Sequence, residues 1–376
     1  MNSCIFGSFP CSSAANYLNL MRTARLTPAE LAGMPEADLL GAVLLAPTAL
    51  PTGTLPKGAR LDATRIATLQ TAVRGGWLTT PLRLAWPDPG DLHEDEAATR
   101  LARAAAGAHV EIAAPRQSRV DLRATCDGIL HVQVEALTRL NRVDPLEVFT
   151  LYHGSAVRAG QLVASAKVAP HLLPEATLTR GEAIAREAGP LVWVAPYLPL
   201  EVGAIVAEPL AAKMLAKFEG AIRMKLAALG ARFHGTTPVA DPDPATAEAG
   251  ARAALDRLAL QQKLPVILVG GVSAGDPLAP FFAALHALGG AVLRHGVPAH
   301  PGSMMWLAEL GETRILGLPQ CGMFSLATAA DLILPRLLTG EPLGADGLAE
   351  MAHGGLLTHD MRFRFPEYAR GLEAPE

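Results

Sequence analysis

A glycine-rich loop, residues 270–276, carries the groups best suited to hold an anion. It reads Gly-Gly-Val-Ser-Ala-Gly-Asp and follows an apolar run, residues 264–269, that is typical of a strand buried in a parallel sheet. A helical pattern over residues 277–288 comes next. Glycines let the backbone approach an oxyanion closely, and the unpaired N–H groups at the start of a helix point towards it. The order of strand, turn and helix therefore predicts a phosphate site.

Two later loops, residues 295–304 and 317–324, also follow predicted strands and offer free backbone amides. In an open α/β sheet, ligands bind at the carboxyl ends of the strands, so we expect the three loops to line one pocket. Ser273 and Ser303 add hydroxyl groups, and Asp276 could hold a Mg²⁺ ion carried by a phosphate. His295 and His300 fit solvated or core histidines as readily as ligands. The expected ligand is an anionic, phosphorylated small molecule.

The fold class follows from the pattern of strands and helices. From residue 191 onwards they alternate, which predicts an open, mostly parallel sheet with helices on both faces. Short strands and helices are mixed before that point, which predicts an α+β region of one or two lobes. Residues 170–190, rich in Pro, Thr and Glu, are interpreted as a linker, and residues 323–338 as a helix. The expected division is a flexible leader (1–25), an N-terminal α+β region (26–190), an α/β domain (191–340) and a C-terminal tail (341–376).

Composition narrows the function classes. The chain of 376 residues has a net charge of −4 and contains no block of lysine and arginine, which argues against nucleic acid or an anionic membrane as partner. It has neither the run of ~18 apolar residues that a membrane helix needs nor a secretory signal pattern. The 4 cysteines are scattered without a CxxC pair, which favours the reducing cytoplasm. The acidic run at residues 94–96 is interpreted as the charged start of a helix.

Taken in order, the three loops resemble the motifs of a known family. Residues 270–276 resemble the GGVSxGD signature of the molybdopterin-binding fold of the molybdopterin molybdenumtransferases and gephyrin. Pro301-Gly302 resembles the family's PGKP turn, and Gly317-Leu318-Pro319 its GLPGNP turn. The three motifs stand in family order and at roughly family spacing across residues 191–340. The resemblance implies a molybdopterin-binding α/β domain, and homodimers are common among relatives of this fold.

The first half resembles a narrower bacterial group of molybdopterin-binding proteins. The matching segments are Lys57-Gly58, residues 90–98, Leu140-Asn141 and Asp144. Members are often fused to a nucleotidyltransferase that makes the cytosine dinucleotide form of the molybdenum cofactor. Cys321 also matches this group, whose last loop runs Pro-Gly-Cys. The 36 residues after Gly340 are too few for such a domain. The resemblance thus implies a partner that is a nucleotidyltransferase or another factor of molybdoenzyme maturation.

Several positions depart from the molybdenumtransferase pattern. A second aspartate two residues after Asp276 is replaced by Leu278, and the lysine of PGKP by Ser303. The TGDEL-like end of the first strand reads Ala-Glu-Pro-Leu at residues 207–210. The resemblance thus implies that the pterin-phosphate cradle is kept, while the residues tied to hydrolysing adenylylated molybdopterin and inserting molybdate are lost. The leading hypothesis is a protein that binds and delivers molybdopterin or a nucleotide form of the cofactor. The alternatives are an active transferase that uses Asp276 or Glu208, and a nucleotide-binding regulatory module.

The resemblance implies a specific set of ligand-binding residues. Asp276 is the candidate for catalysis and for Mg²⁺. Cys321 either faces the dithiolene or metal end of the ligand or is a small apolar filler. The predicted binding residues are Gly270, Gly271, Ser273, Gly275, Asp276, Pro301, Gly302, Ser303, Pro319, Gln320, Cys321 and Gly322.

Overall fold

A computed structural model describes residues 22–324 and 326–372, apart from the side chain of Cys321. The helices are α1 (Pro28–Gly33), α2 (Glu36–Leu39), α3 (Ala63–Arg74), α4 (Glu94–Ala105), α5 (Val134–Asn141), α6 (Glu175–Ala188), α7 (Ala212–Ala228), α8 (Pro244–Leu255), α9 (Pro280–Ala287), α10 (Ala330–Leu337), α11 (Ala345–Ala349) and α12 (Glu367–Arg370). A π-helical segment (Asp256–Gln261) continues α8, and 3-10 turns cover Gln320–Met323, Glu350–Ala352 and His359–Arg364.

The strands of the described residues belong to six sheets. They are β1 (Arg22–Leu26), β2 (Val43–Leu44), β3 (Thr48–Leu50), β4 (Gly53–Leu55), β5 (Leu82–Trp86), β6 (Asp91–His93), β7 (Val110–Ile112), β8 (Arg119–Ala124), β9 (Gly128–Val132), β10 (Leu146–Thr150), β11 (Ala156–Val157), β12 (Leu162–Val168), β13 (Leu172–Pro174), β14 (Val192–Pro196), β15 (Glu201–Val206), β16 (Arg232–Pro238), β17 (Val266–Gly270), β18 (Ala291–His295), β19 (Trp306–Leu310) and β20 (Thr313–Gly317).

The described chain divides into two compact units. Unit 1 contains residues 22–123, Gln133–Thr150 and Leu162–Val192, and unit 2 contains Ala124–Val132, Leu151–Gln161 and residues 193–372. This division differs from the expected boundaries. Two short segments of the expected N-terminal region belong to unit 2. Residues 341–372, expected to be a tail, contribute Leu343, Leu348 and Phe365 to the main core of that unit.

Unit 1 is built from small antiparallel sheets, with strand orders β1-β5-β2, β10-β12-β8-β7, β13-β6 and β3-β4. Of the expected leader, residues 1–21 lie outside the described residues, and residues 22–26 form β1, which pairs with β5. The expected linker at residues 170–190 is wrong, because residues 175–188 form α6. Leu178, Gly181 and Ala185 recur at helical spacing on its buried face. The Pro, Thr and Glu of this segment suggested a linker, although its apolar residues have the spacing of a helix.

Unit 2 contains the predicted open sheet. Its order is β16-β15-β17-β20-β19-β18; the first four strands run parallel, and β19 and β18 pair antiparallel. Alternate residues of β17 enter opposite cores: Val266 and Leu268 pack with α7 and α10, and Ile267 and Val269 pack with α8 and α9. Because both faces are covered, the strand is a continuous apolar run. The predicted α/β class is confirmed.

Two predicted helices of unit 2 begin later than expected. The helix expected at residue 277 begins at Pro280, so four residues separate it from Gly275. The helix expected at residue 323 begins at Ala330. Asp331 accepts a hydrogen bond from the Thr328 backbone N–H, at 3.0 Å. It also forms a 2.7 Å ion pair with Lys225, and both side chains are buried. These contacts of Asp331 fix the start of α10 at a position that apolar spacing alone does not indicate.

Among the described residues, no helix combines the length and the apolar character required to cross a membrane.

A buried histidine makes the stability of unit 2 depend on pH. His131 stacks on Trp193, with ring centroids 5.1 Å apart. Burial lowers its pKa from 6.5 to about 4, against the opposing effect of Glu341. Below pH 6.5 the unfolded chain takes up a proton that the folded chain refuses, so stability falls as the pH drops towards 4. We expect a loss of about 2 to 3 kcal/mol over this range.

Urea unfolding at pH 7.5, 5.5 and 4.5 measures this effect. His131→Phe keeps an aromatic ring against Trp193 and should show a smaller loss. His359→Gln changes an exposed histidine and should unfold like the wild type. Equal pH dependence of His131→Phe and the wild type would contradict the assignment.

Candidate functional site

A cavity of about 620 Å³ lies in unit 2 where the three predicted loops meet. This volume is within the range of small-molecule sites. The loops follow β17, β18 and β20, and a fourth segment follows β15. The lining residues are Glu208, Gly271, Val272, Ser273, His300, Pro301, Gly302, Ser303, Met304, Leu318, Pro319 and Gln320.

The glycine loop is held in place by groups outside it. Trp306 is fully buried, and its indole N–H donates to the Val272 carbonyl at 2.9 Å. The Ala274 N–H donates to the Met304 carbonyl at 3.2 Å, which joins the loop to the one after β18. These bonds fix the turn so that the backbone of Gly271 forms part of the cavity wall. The loop is therefore preorganised to bind a ligand.

Gly271 is a position where only glycine fits. Its φ is +82°, in the left-handed region, and a Cβ there would lie 2.7 Å from Cβ of Glu208. The lack of a side chain thus allows the backbone to pass against the end of β15. Within the described part of the chain, the backbone N–H groups of Gly271, Val272 and Ser273 have no hydrogen-bond acceptor. Such a row of unpaired amides on a cavity is suited to phosphate oxygens.

The other two loops close the cavity through backbone bonds. The Ala329 N–H donates to the Pro301 carbonyl at 2.9 Å, and the Met305 N–H donates to the Gly302 carbonyl at 3.2 Å. On the opposite side, the Leu318 N–H donates to the Val269 carbonyl at 2.8 Å, so this loop continues the sheet. Pro301 and Pro319 present apolar rings to the cavity.

A carboxylate that the sequence interpretation kept only as an alternative lies at the cavity. Glu208 follows β15, the neighbour of β17 in the sheet. The side-chain amide of Gln320 donates to it at 3.5 Å, the outer limit of a hydrogen bond. Among the described residues, no lysine or arginine lines this cavity. The site therefore combines N–H and O–H donors and the imidazole of His300 with one carboxylate.

Seven of the twelve predicted binding residues line the cavity: Gly271, Ser273, Pro301, Gly302, Ser303, Pro319 and Gln320. Gly270 instead belongs to β17, where a Cβ would meet Met323. The Gly275 N–H donates to the Ser273 hydroxyl at 3.2 Å, and Gly322 packs against Pro319 and Thr328. The side chain of Cys321 lies outside the described residues, so its two interpretations stay open.

Asp276 is not among the residues that line the cavity. It is exposed, and its carboxylate accepts a hydrogen bond from the Leu278 N–H at 3.1 Å, which shapes the turn before α9. Among the described residues, no group of three or more His, Cys, Asp or Glu side chains could hold a metal. The roles of Asp276 in catalysis and in Mg²⁺ binding stay predictions, and the geometry does not favour them.

Besides Glu208, four further lining residues were not predicted to bind the ligand: Val272, His300, Met304 and Leu318. Glu208 could have been found, because it directly follows a predicted strand that neighbours the central one. Met304 could not, since its place depends on the path of the loop between β18 and β19.

Comparison with known proteins adds a likeness in structure. No family model and no curated protein matches the chain. Among solved structures, the chain is similar to the crystal structure of the molybdopterin biosynthesis MoeA protein from Pyrococcus horikosii. The sequence identity is 13%, the TM-score is 0.26, and the match covers 85% of this chain and 75% of that chain.

Proposed function

We propose that unit 2 binds molybdopterin or a nucleotide form of the molybdenum cofactor and delivers it during molybdoenzyme maturation. One observation carries the proposal: the three loops with family-like motifs surround a single cavity of about 620 Å³. The lining includes unpaired backbone N–H groups and two prolines. The cavity thus offers a polar end for a phosphate and apolar walls for a ring system.

The roles of individual residues follow from their chemistry. The N–H groups of Gly271 and Ser273, with the Ser273 and Ser303 hydroxyls, would hold the ligand's phosphate. Pro301 and Pro319 would flank the pterin. A pterin ring carries an amino group and a ring N–H, and the Glu208 carboxylate can accept hydrogen bonds from both. Because neutral dipoles hold the phosphate, we expect its binding to depend only weakly on salt.

The proposal includes the biological context. The ligand would be received from, or handed to, a nucleotidyltransferase or another maturation factor in the cytoplasm. A homodimer belongs to the same proposal by analogy with relatives of the fold. In this proposal Mg²⁺ enters the site bound to the phosphate of the ligand.

An active transferase is the second candidate, and the position of Glu208 at the cavity favours it. Anaerobic incubation with adenylylated molybdopterin and molybdate separates the two candidates. We expect the wild type to bind this compound and to release no AMP above the buffer control, because Leu278 stands where the molybdenumtransferase motif has its second aspartate. AMP release that disappears in Glu208→Gln and persists in Asp276→Ala would overturn the carrier role and establish the transferase.

A further inference from the structure

Unit 1 contains a second cavity, of about 500 Å³, that is lined by basic side chains. Lys57, Arg116, Arg119 and Lys167 contribute to its wall, together with Glu94 and His171. Two lysines and two arginines thus face one concave site in a protein whose net charge is −4. Such a local excess of positive charge attracts anions.

Most of these cations are not neutralised by the protein. Arg119 pairs with Asp121 at 3.0 Å. Lys57, Arg116 and Lys167 form no ion pair within the described part of the chain. Like charges brought together in this way raise the free energy of the unliganded protein, and an anion relieves their repulsion.

A buried carboxylate–imidazole pair lies in the wall of the basic cavity. Glu94 is 3% exposed, and its Oε2 lies 2.5 Å from Nδ1 of His171. The Glu94 N–H donates in turn to the His171 carbonyl at 3.0 Å. The carboxylate fixes the imidazole through one ring nitrogen, so the other nitrogen can serve a ligand. Within the acidic run at residues 94–96, Glu94 therefore also orients His171, in addition to placing negative charge at the start of α4.

The backbone around the basic cavity is specialised as well. Gly58 has φ +79°, and a Cβ there would lie 2.1 Å from Oε1 of Glu94. Gln117 and Ser118 are consecutive non-glycine residues with φ of 52° and 65°. The Ser118 N–H donates to Asp95 at 3.1 Å, which holds this turn in place. Sparsely populated conformations of this kind persist where the surrounding structure enforces them, and they cluster at ligand sites.

We propose that the basic cavity binds a phosphorylated small molecule with at least two negative charges. Lys57, Arg116 and Lys167 would contact the phosphate oxygens, and His171 would add a donor oriented by Glu94. The volume exceeds that of a lone phosphate and suits a ligand with an organic part. The site is separate from the cavity of unit 2 and shares no residue with it.

Isothermal titration calorimetry with inorganic pyrophosphate as the probe tests this proposal on the full chain. We expect the wild type to bind, and Arg116→Ala combined with Lys167→Ala to bind at least about 30-fold more weakly. The control combines Arg74→Ala with Arg142→Ala, which removes two exposed arginines of unit 1 from outside the cavity. Its affinity should stay within about twofold of the wild type.

A second control separates the two cavities. Gly271→Ala alters the wall of the unit 2 cavity, which has a phosphate site of its own in the function proposed above. It should leave unchanged the pyrophosphate binding that Arg116→Ala combined with Lys167→Ala removes. Failure of the wild type to bind pyrophosphate would overturn the proposal. Equal losses in the two double variants would also overturn it, because binding would then reflect general charge. A complete loss of pyrophosphate binding in Gly271→Ala would overturn it as well, because the anion would then lie only in the unit 2 cavity.

Discussion

Gly271→Ala is expected to weaken the binding of molybdopterin by about 100-fold or more, which corresponds to about 2.7 kcal/mol. The added Cβ would lie within 2.8 Å of three atoms of Glu208. Either the turn or the end of β15 must move, and both line the cavity. The row of N–H groups would then lose its alignment with the ligand's phosphate. Anaerobic equilibrium dialysis against purified molybdopterin measures the change.

Gly289→Ala is the matched control. Gly289 also lies in unit 2 with φ +81°, but a Cβ there would meet no atom within 4 Å. Both substitutions carry the cost of a left-handed alanine, about 1 to 2 kcal/mol of folding stability. Only Gly271→Ala should bind molybdopterin more weakly than the wild type. Equal affinities of the two variants would show that the glycine turn does not contact the ligand.

Trp306→Ala is expected to lower the free energy of unfolding by about 3 to 5 kcal/mol. Trp306 is fully buried against Phe281 and Phe282, at centroid distances of 5.4 and 5.0 Å. Its indole N–H also satisfies the buried carbonyl of Val272. Trp306→Phe retains most of the apolar contact and leaves that carbonyl unpaired, so it should cost about 1 to 3 kcal/mol. Urea unfolding followed by circular dichroism provides the measurement.

Trp77→Phe is the control for this series, because Trp77 is 70% exposed and should tolerate the change. Trp306→Phe should also weaken ligand binding, since Val272 lies in the glycine loop. If Trp306→Phe leaves both stability and binding unchanged, the indole does not hold the loop in place.

The central elements of unit 2 could be predicted because their signals are local. The apolar run that became β17 and the glycines after it are readable in the sequence, and parallel strands bring successive loops to one edge. Helix starts were harder to predict. The position of α10 depends on Thr328, Asp331 and the distant Lys225, and no window of sequence contains all three.

The candidate sites show the same limit. The binding roles expected of the motif residues stay predictions: Gly271 lies at the cavity wall, whereas Asp276, which ends the motif, is not among the lining residues. Its carboxylate instead caps the turn before α9. In unit 1, Glu94 and His171 are 77 residues apart, and only the folded chain brings them together. Side-chain contacts between residues so far apart produce no periodic pattern that a single sequence could show.

The ligand that the protein carries when purified anaerobically from its own host tests the central proposal most directly. Native mass spectrometry of the wild type and of Gly271→Ala would identify it. We predict that the wild type carries molybdopterin or a nucleotide form of the molybdenum cofactor, and that Gly271→Ala does not. An ordinary nucleotide in the wild type, lost in Gly271→Ala, would contradict the proposal and establish a nucleotide-binding module instead.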